Sequence, residues 1–135
     1  MNDADLREFA RRYTQAWCSG DPSRVADHYA PGGSLTINGG VPSVGRAAIT
    51  ETARSFMDAF PDLEVLMDDV RVEDDGTQYH WTLVGTNNGP RGTGNHVRIS
   101  GHEEWTIDAD GLIAESQGHY DEAEYSRQLE QGTEV

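Results

Sequence analysis

The chain has no lysine; all ten of its basic residues are arginine. That absence excludes Schiff-base catalysis and the phosphate-binding lysine of a P-loop. A single cysteine, Cys18, leaves no partner for an internal disulfide and suits a reducing compartment. Cys18 falls in an apolar helical stretch, where a small buried residue is expected rather than a nucleophile. Long apolar runs are missing too. Nothing nears the length that spans a bilayer, and the acidic, amphipathic N-terminus is unlike a secretion signal. A cytoplasmic location is the expectation. Positive charge is scarce: 24 acids face 10 bases, for a net charge of −14. Such a field repels nucleic acid and anionic lipid, so neither is expected as a partner.

What is present fits one domain spanning residues 1–135, with one core. Three Trp, five Tyr and three Phe supply bulky material to bury. Leu6, Phe9, Ala10, Tyr13, Ala16 and Trp17 recur at helical spacing over residues 3–19. Asp21-Pro22 caps and opens a short second helix, expected to run through Tyr29. Pro31, Gly32 and Gly33 break the chain before a short strand over 34–38. Helical spacing returns over 45–60 and stops before Pro61. Four strands are then expected at about 63–73, 77–87, 95–108 and 112–120, with a last helix after Asp121 through Leu129 and a frayed tail over 130–135. Helices followed by an antiparallel meander define an α+β fold, with the helices on one face of a curved sheet. They cannot cover the whole sheet, so a homodimer is the natural expectation.

Two turns set the expected pairing. Asp108 to Leu112 reads as a three-residue hairpin loop with Gly111 left-handed, which puts Trp105 opposite Glu115 and Glu103 opposite Gln117. The glycine-rich loop 88–94 reads as a hairpin connection, which puts Trp81 opposite Gly101, His80 opposite His102 and Tyr79 opposite Glu103. By alternation, one face carries Tyr79, Trp81, Leu83, Val97, Ile99, Trp105 and Ile113. It should lie under the helices. Glu103 interrupts that apolar face, joined by Glu115, Gln117, His119 and Asp121 if the last strand keeps the same register. A one-residue slip would swap those faces.

Glu103 among aromatic residues should have a raised pKa, which suits a general acid or base. A structural carboxylate tied to arginine or backbone is the other reading. His119 and Asp121 share a face and could form a proton-transfer pair. Asp121 also sits where a strand becomes a helix, a preferred N-cap position. His80, His102 and His119 carry no tight ligand motif and read as surface histidines, so no metal is expected. The acids Asp68, Asp69, Glu73, Asp74 and Asp75 lack calcium-loop spacing.

Phe60-Pro61-Asp62-Leu63, the run Trp81 to Gly89, Asp110 to Glu115, and Asp121 followed by Arg127-Gln128-Leu129 resemble the SnoaL-like polyketide cyclases of the nuclear transport factor two-like superfamily. The resemblance covers most of the chain in the expected order. It implies a cone-shaped α+β barrel, usually dimeric, with a deep pocket between helices and sheet. Relatives include aldol-type ring cyclases, ketosteroid isomerases and limonene epoxide hydrolases, which commonly need no metal or organic cofactor. The implied function is cofactor-independent acid–base chemistry on a small hydrophobic molecule, with a non-catalytic binding domain as the alternative. Glu103, His119 and Asp121 are the catalytic candidates; Tyr13, Trp17, Tyr79, Trp81 and Gln117 are the expected pocket residues. Two departures stand out: many cyclase-like sequences have His where this chain has Asn87, and Trp near Gln117.

Overall fold

A computed structural model describes residues 2–133. Helix α1 (Asp3–Cys18) begins at Asn2, whose side chain accepts from the Asp5 N–H, and buries Leu6, Ala10, Tyr13, Ala16 and Trp17 along one stripe. Helix α2 (Pro22–Ala26) is capped by Asp21 and is shorter than expected. It ends three residues before Tyr29, which instead opens strand β1 (Tyr29–Ile37). Pro31, Gly32 and Gly33 therefore lie inside a strand, at an irregularity between Tyr29 and Ser34. That placement fits a bulge, the position where strands tolerate such residues. A two-residue strand, β2 (Ser43–Val44), precedes helix α3 (Arg46–Ala59).

Strands β3 (Glu64–Glu73), β4 (Gly76–Thr86), β5 (His96–Ile107) and β6 (Ile113–Tyr120) form the expected meander, and helix α4 (Glu122–Gln131) closes the fold. The frayed tail falls partly on α4, which is helical through Gln131, and partly on residues 134–135, outside the described residues. The sheet order is β2-β1-β6-β5-β4-β3. All its pairings are antiparallel except β1 with β6, which is parallel. Helices packed on this curved, mostly antiparallel sheet make the cone-shaped α+β fold.

The β4–β5 register is as expected: Tyr79 pairs with Glu103, His80 with His102 and Trp81 with Gly101. The β5–β6 register starts as expected, with Ile107 opposite Ile113, then shifts. Ala114 is the extra residue of a bulge, so Thr106 faces Glu115, Trp105 faces Ser116 and Glu103 faces Gly118. Beyond the bulge every β6 side chain is on the opposite face from the one expected. Ser116, Gly118 and Tyr120 turn toward the helices; Glu115, Gln117 and His119 turn away.

The core lies between the helices and the inner sheet face, around Tyr13, Tyr29, Tyr79, Trp105 and Ile113. A second cluster of Phe60, Leu83, Val97 and Ile99 sits under α4. Among the described residues no helix is long and apolar enough to cross a membrane.

Candidate functional site

Glu103 sits in the middle of β5, which alternates buried and exposed side chains along its length. Ile99 and Trp105 on the same inner face are buried, and so is Glu103 at 7 % exposure. A carboxylate here must be compensated by hydrogen bonds. Hydroxyl and indole groups from four elements gather around it. The Ser116 hydroxyl donates to Oε1 at 2.7 Å, and the Trp105 indole N–H donates to the same oxygen at 3.0 Å. The Tyr13 hydroxyl lies 3.0 Å from Oε1 and 3.3 Å from Oε2. Tyr29 is 3.4 Å from Oε1 but only 2.8 Å from the Tyr13 hydroxyl. One proton per phenol allows a relay in which Tyr29 donates to Tyr13 and Tyr13 to the carboxylate.

The two carboxylate oxygens are thus unequal. Oε1 takes Ser116, Trp105 and Tyr13; Oε2 has only the longer Tyr13 contact. Burial pushes the Glu103 pKa up, and the donors from Trp105, Ser116, Tyr13 and Tyr29 pull it partly back. Burial also pushes Tyr13 and Tyr29 well up, reinforced by the Glu103 charge, so both remain neutral donors.

Glu103 lines a pocket that opens to solvent. Otherwise the walls are mainly apolar and aromatic: Trp17, Leu35, Ile37, Phe56, Val65, Tyr79, Trp81, Leu83, Ile99, Tyr120 and Tyr125. Tyr79 stacks on Trp105 at 4.9 Å between ring centres, and its hydroxyl pairs with Thr14. The Trp81 Nε1–H is buried without a partner among the described residues, although the ring lines the pocket. Tyr120 packs on Tyr125 at 5.4 Å, and burial holds both phenols neutral, Tyr125 being pushed up to about 12.

Glu103, Trp17, Tyr79 and Trp81 thus come together at the pocket, as their alternation and helical spacing imply. Tyr13 is near, but it stands behind the carboxylate and holds it rather than lining the cavity. Three expected residues are elsewhere. Gln117 is on the outer sheet face, bonded to Glu115 at 2.7 Å. His119 is on that face too, 3.7 Å from Glu104. The Ala114 bulge moved both. Asp121 is the N-cap of α4, its carboxylate accepting from the Glu124 N–H at 3.0 Å. Cys18 is exposed rather than buried, its sulfur paired with the Val65 backbone. Asn87 is occupied internally: it donates to the Ala59 carbonyl at 3.1 Å and accepts from the Thr93 N–H at 2.8 Å.

Two contributors escaped sequence reading. Tyr29 opens a strand where a helix end is expected, and Ser116 turns inward only because of the bulge at Ala114. The strand signal for Tyr29 was masked by the Pro-Gly-Gly that follows it. Nothing in the composition of β6 marks the bulge at Ala114.

The sequence profile of the SnoaL-like polyketide cyclases matches residues 7–129, and the chain belongs to that family. No curated protein sequence matches it. Solved structures give the same fold. A candidate SnoaL-like polyketide cyclase from Jannaschia sp. CCS1 is 20 % identical, with a TM-score of 0.81 over 93 % of this chain and 91 % of that one. TsrD from Streptomyces laurentii is 23 % identical, with a TM-score of 0.80 over 96 % and 97 %. SalBIII, described as an epoxide hydrolase/cyclase-like enzyme in pyran ring formation in the polyether salinomycin, is 17 % identical, with a TM-score of 0.78 over 92 % and 97 %. At these identities the likeness carries the fold, and function rests on the site.

Proposed function

We propose that the protein is a cofactor-independent acid–base enzyme acting on a small hydrophobic molecule, with Glu103 as the proton-transfer group. One observation carries this reading: a buried carboxylate in a pocket that is otherwise mainly apolar, with one oxygen saturated by donors and the other nearly free. Saturating Oε1 fixes the carboxylate in position. Oε2 is left to take a proton from an acidified C–H or to return one. A carboxylate with a raised pKa is better matched to that task than an exposed one. Trp81, whose ring lines the pocket and whose buried N–H has no partner among the described residues, is the donor proposed to turn toward a substrate oxygen as negative charge develops there. Cyclisation by aldol chemistry and isomerisation beside a carbonyl both need this pair of functions.

A simple ketone tests the proposal. Proton NMR in heavy water follows exchange at the carbon next to the carbonyl of β-tetralone. Catalysed exchange is expected from the native protein. Glu103→Gln should lose it by roughly 10²- to 10⁴-fold, the usual contribution of a general base. Equal exchange by both proteins would sink the role of Glu103. The same substitution separates this reading from a binding domain, in which β-tetralone would bind both proteins alike and exchange with neither.

A further inference from the structure

The bulge that removes His119 from the pocket places it beside His102 on the outer sheet face. Residues 102 and 119 are direct cross-strand partners on β5 and β6. Their imidazole rings lie 5.0 Å apart. Glu104, two residues along β5, points to the same face by alternation. Its two oxygens divide between the rings: Oε1 is 3.7 Å from His102 Nε2, and Oε2 is 3.7 Å from His119 Nε2. One ligand atom from each of the three residues lies within 4.8 Å of the others.

We propose that His102, Glu104 and His119 form a site for a divalent transition-metal ion, zinc in particular. The three groups converge, yet at 3.7 Å Glu104 is beyond hydrogen-bond reach of either ring. A tetrahedral zinc ion with bonds of about 2.0–2.1 Å sets its ligands about 3.3 Å apart, so small side-chain rotations complete the set. Within a single protomer all three groups keep some exposure, with side chains 31 %, 53 % and 45 % accessible, which leaves them room to rotate. Two imidazoles and one carboxylate suit zinc, cobalt or nickel; calcium and magnesium prefer all-oxygen sites. Three protein ligands leave one coordination position, which water would fill in a single protomer. The net charge of −14 enriches cations around the protein. His80 flanks the site, stacked on His102 at 5.3 Å, but its Nε2 is engaged by Gln78 at 3.1 Å. This proposal is independent of Glu103 and reverses the sequence-based expectation that no metal is bound.

The test is calorimetric titration of the chelator-treated full chain with zinc chloride at neutral pH. One zinc per chain is expected. His102→Ala and His119→Ala should each weaken binding by at least about tenfold, the loss that removing even an outer-shell partner causes. Glu104→Gln should weaken it as well, and His96→Ala, on the exposed start of β5, should not. Histidine NMR of the unmodified protein needs no variant to fold: zinc should shift His102 and His119 and leave His28 unchanged. The proposal is overturned by absence of zinc binding, by one zinc per two chains, by native affinity in both histidine variants, or by zinc shifts confined to other histidines.

Discussion

The Ser116 hydroxyl donates to Glu103 Oε1 at 2.7 Å across adjacent strands, although Ser116 faces Trp105 and not Glu103 in the ladder. The contact is diagonal, and the bulge at Ala114 makes it possible. It fixes which oxygen of the carboxylate is occupied, and so which one is free. Removing the donor should be felt in two ways. Ser116→Ala should destabilise the fold by about 1.5–3 kcal/mol, the range for a hydrogen bond to a charged group. It should also raise the Glu103 pKa further, because a bond to the charged form is lost. Denaturant unfolding checks the first effect, and unchanged stability would show that Ser116 contributes little.

Stability against pH should carry the mark of Glu103. Its folded pKa is raised above the ordinary 4.5 by burial. Between that value and the raised one, the folded chain holds a proton that the unfolded chain has released. Stability from this group therefore falls as pH rises through the window and levels off above it. Acids with lowered pKa, such as Glu124 beside Arg127, act in the opposite direction. Subtraction isolates the effect: the stability of Glu103→Gln minus that of the native protein should grow with pH across the window, then flatten. A difference that shrinks with pH would contradict the burial-driven shift.

Asp121 should behave as a cap. Its carboxylate accepts from the Glu124 N–H at the start of α4. Asp121→Ala is expected to cost about 1 kcal/mol, and Asp121→Asn much less. Neither should abolish β-tetralone exchange. A loss of exchange on the scale of Glu103→Gln, at native stability, would restore Asp121 as a catalytic candidate.

Gly101 tests the packing that seats Trp81 at the pocket. A Cβ there would stand 2.4 Å from the His119 carbonyl and 2.7 Å from the Trp81 ring. Backbone cannot yield easily, so Gly101→Ala should destabilise by about 1–3 kcal/mol through overpacking. Tryptophan fluorescence should change with it, since the ring must move. Native stability together with native fluorescence would show the approach to be looser than described.

Much of this fold was legible in the sequence because its signals were local. The stripe through Leu6, Tyr13 and Trp17 marked α1, and Asp21-Pro22 marked the start of α2. The hairpin loop after Asn87 fixed the β4–β5 register, which is why Glu103 and Trp81 were placed correctly. Asp108 to Leu112 also formed the expected turn, with Gly111 at a φ of 79°. What failed depended on distant partners. The parallel pairing of β1 with β6 pulls Tyr29 into the sheet and across to Glu103, and no local pattern announces that. The extra residue at Ala114 leaves composition and alternation intact on both sides while exchanging the faces between them. One slipped register thus accounts for two of the three misplaced residues, Gln117 and His119, and for one of the two unmarked contributors, Ser116.

In the proposed mechanism Glu103 is a desolvated carboxylate held ready for proton transfer. Carbon NMR titration of the protein labelled at its glutamate carboxyl groups measures this directly, with the Glu103 signal assigned by its disappearance in Glu103→Gln. One carboxyl titrating above 4.5, and higher again in Ser116→Ala, is the expected result. A Glu103 signal that titrates at or below 4.5 would rule out a desolvated carboxylate at this position.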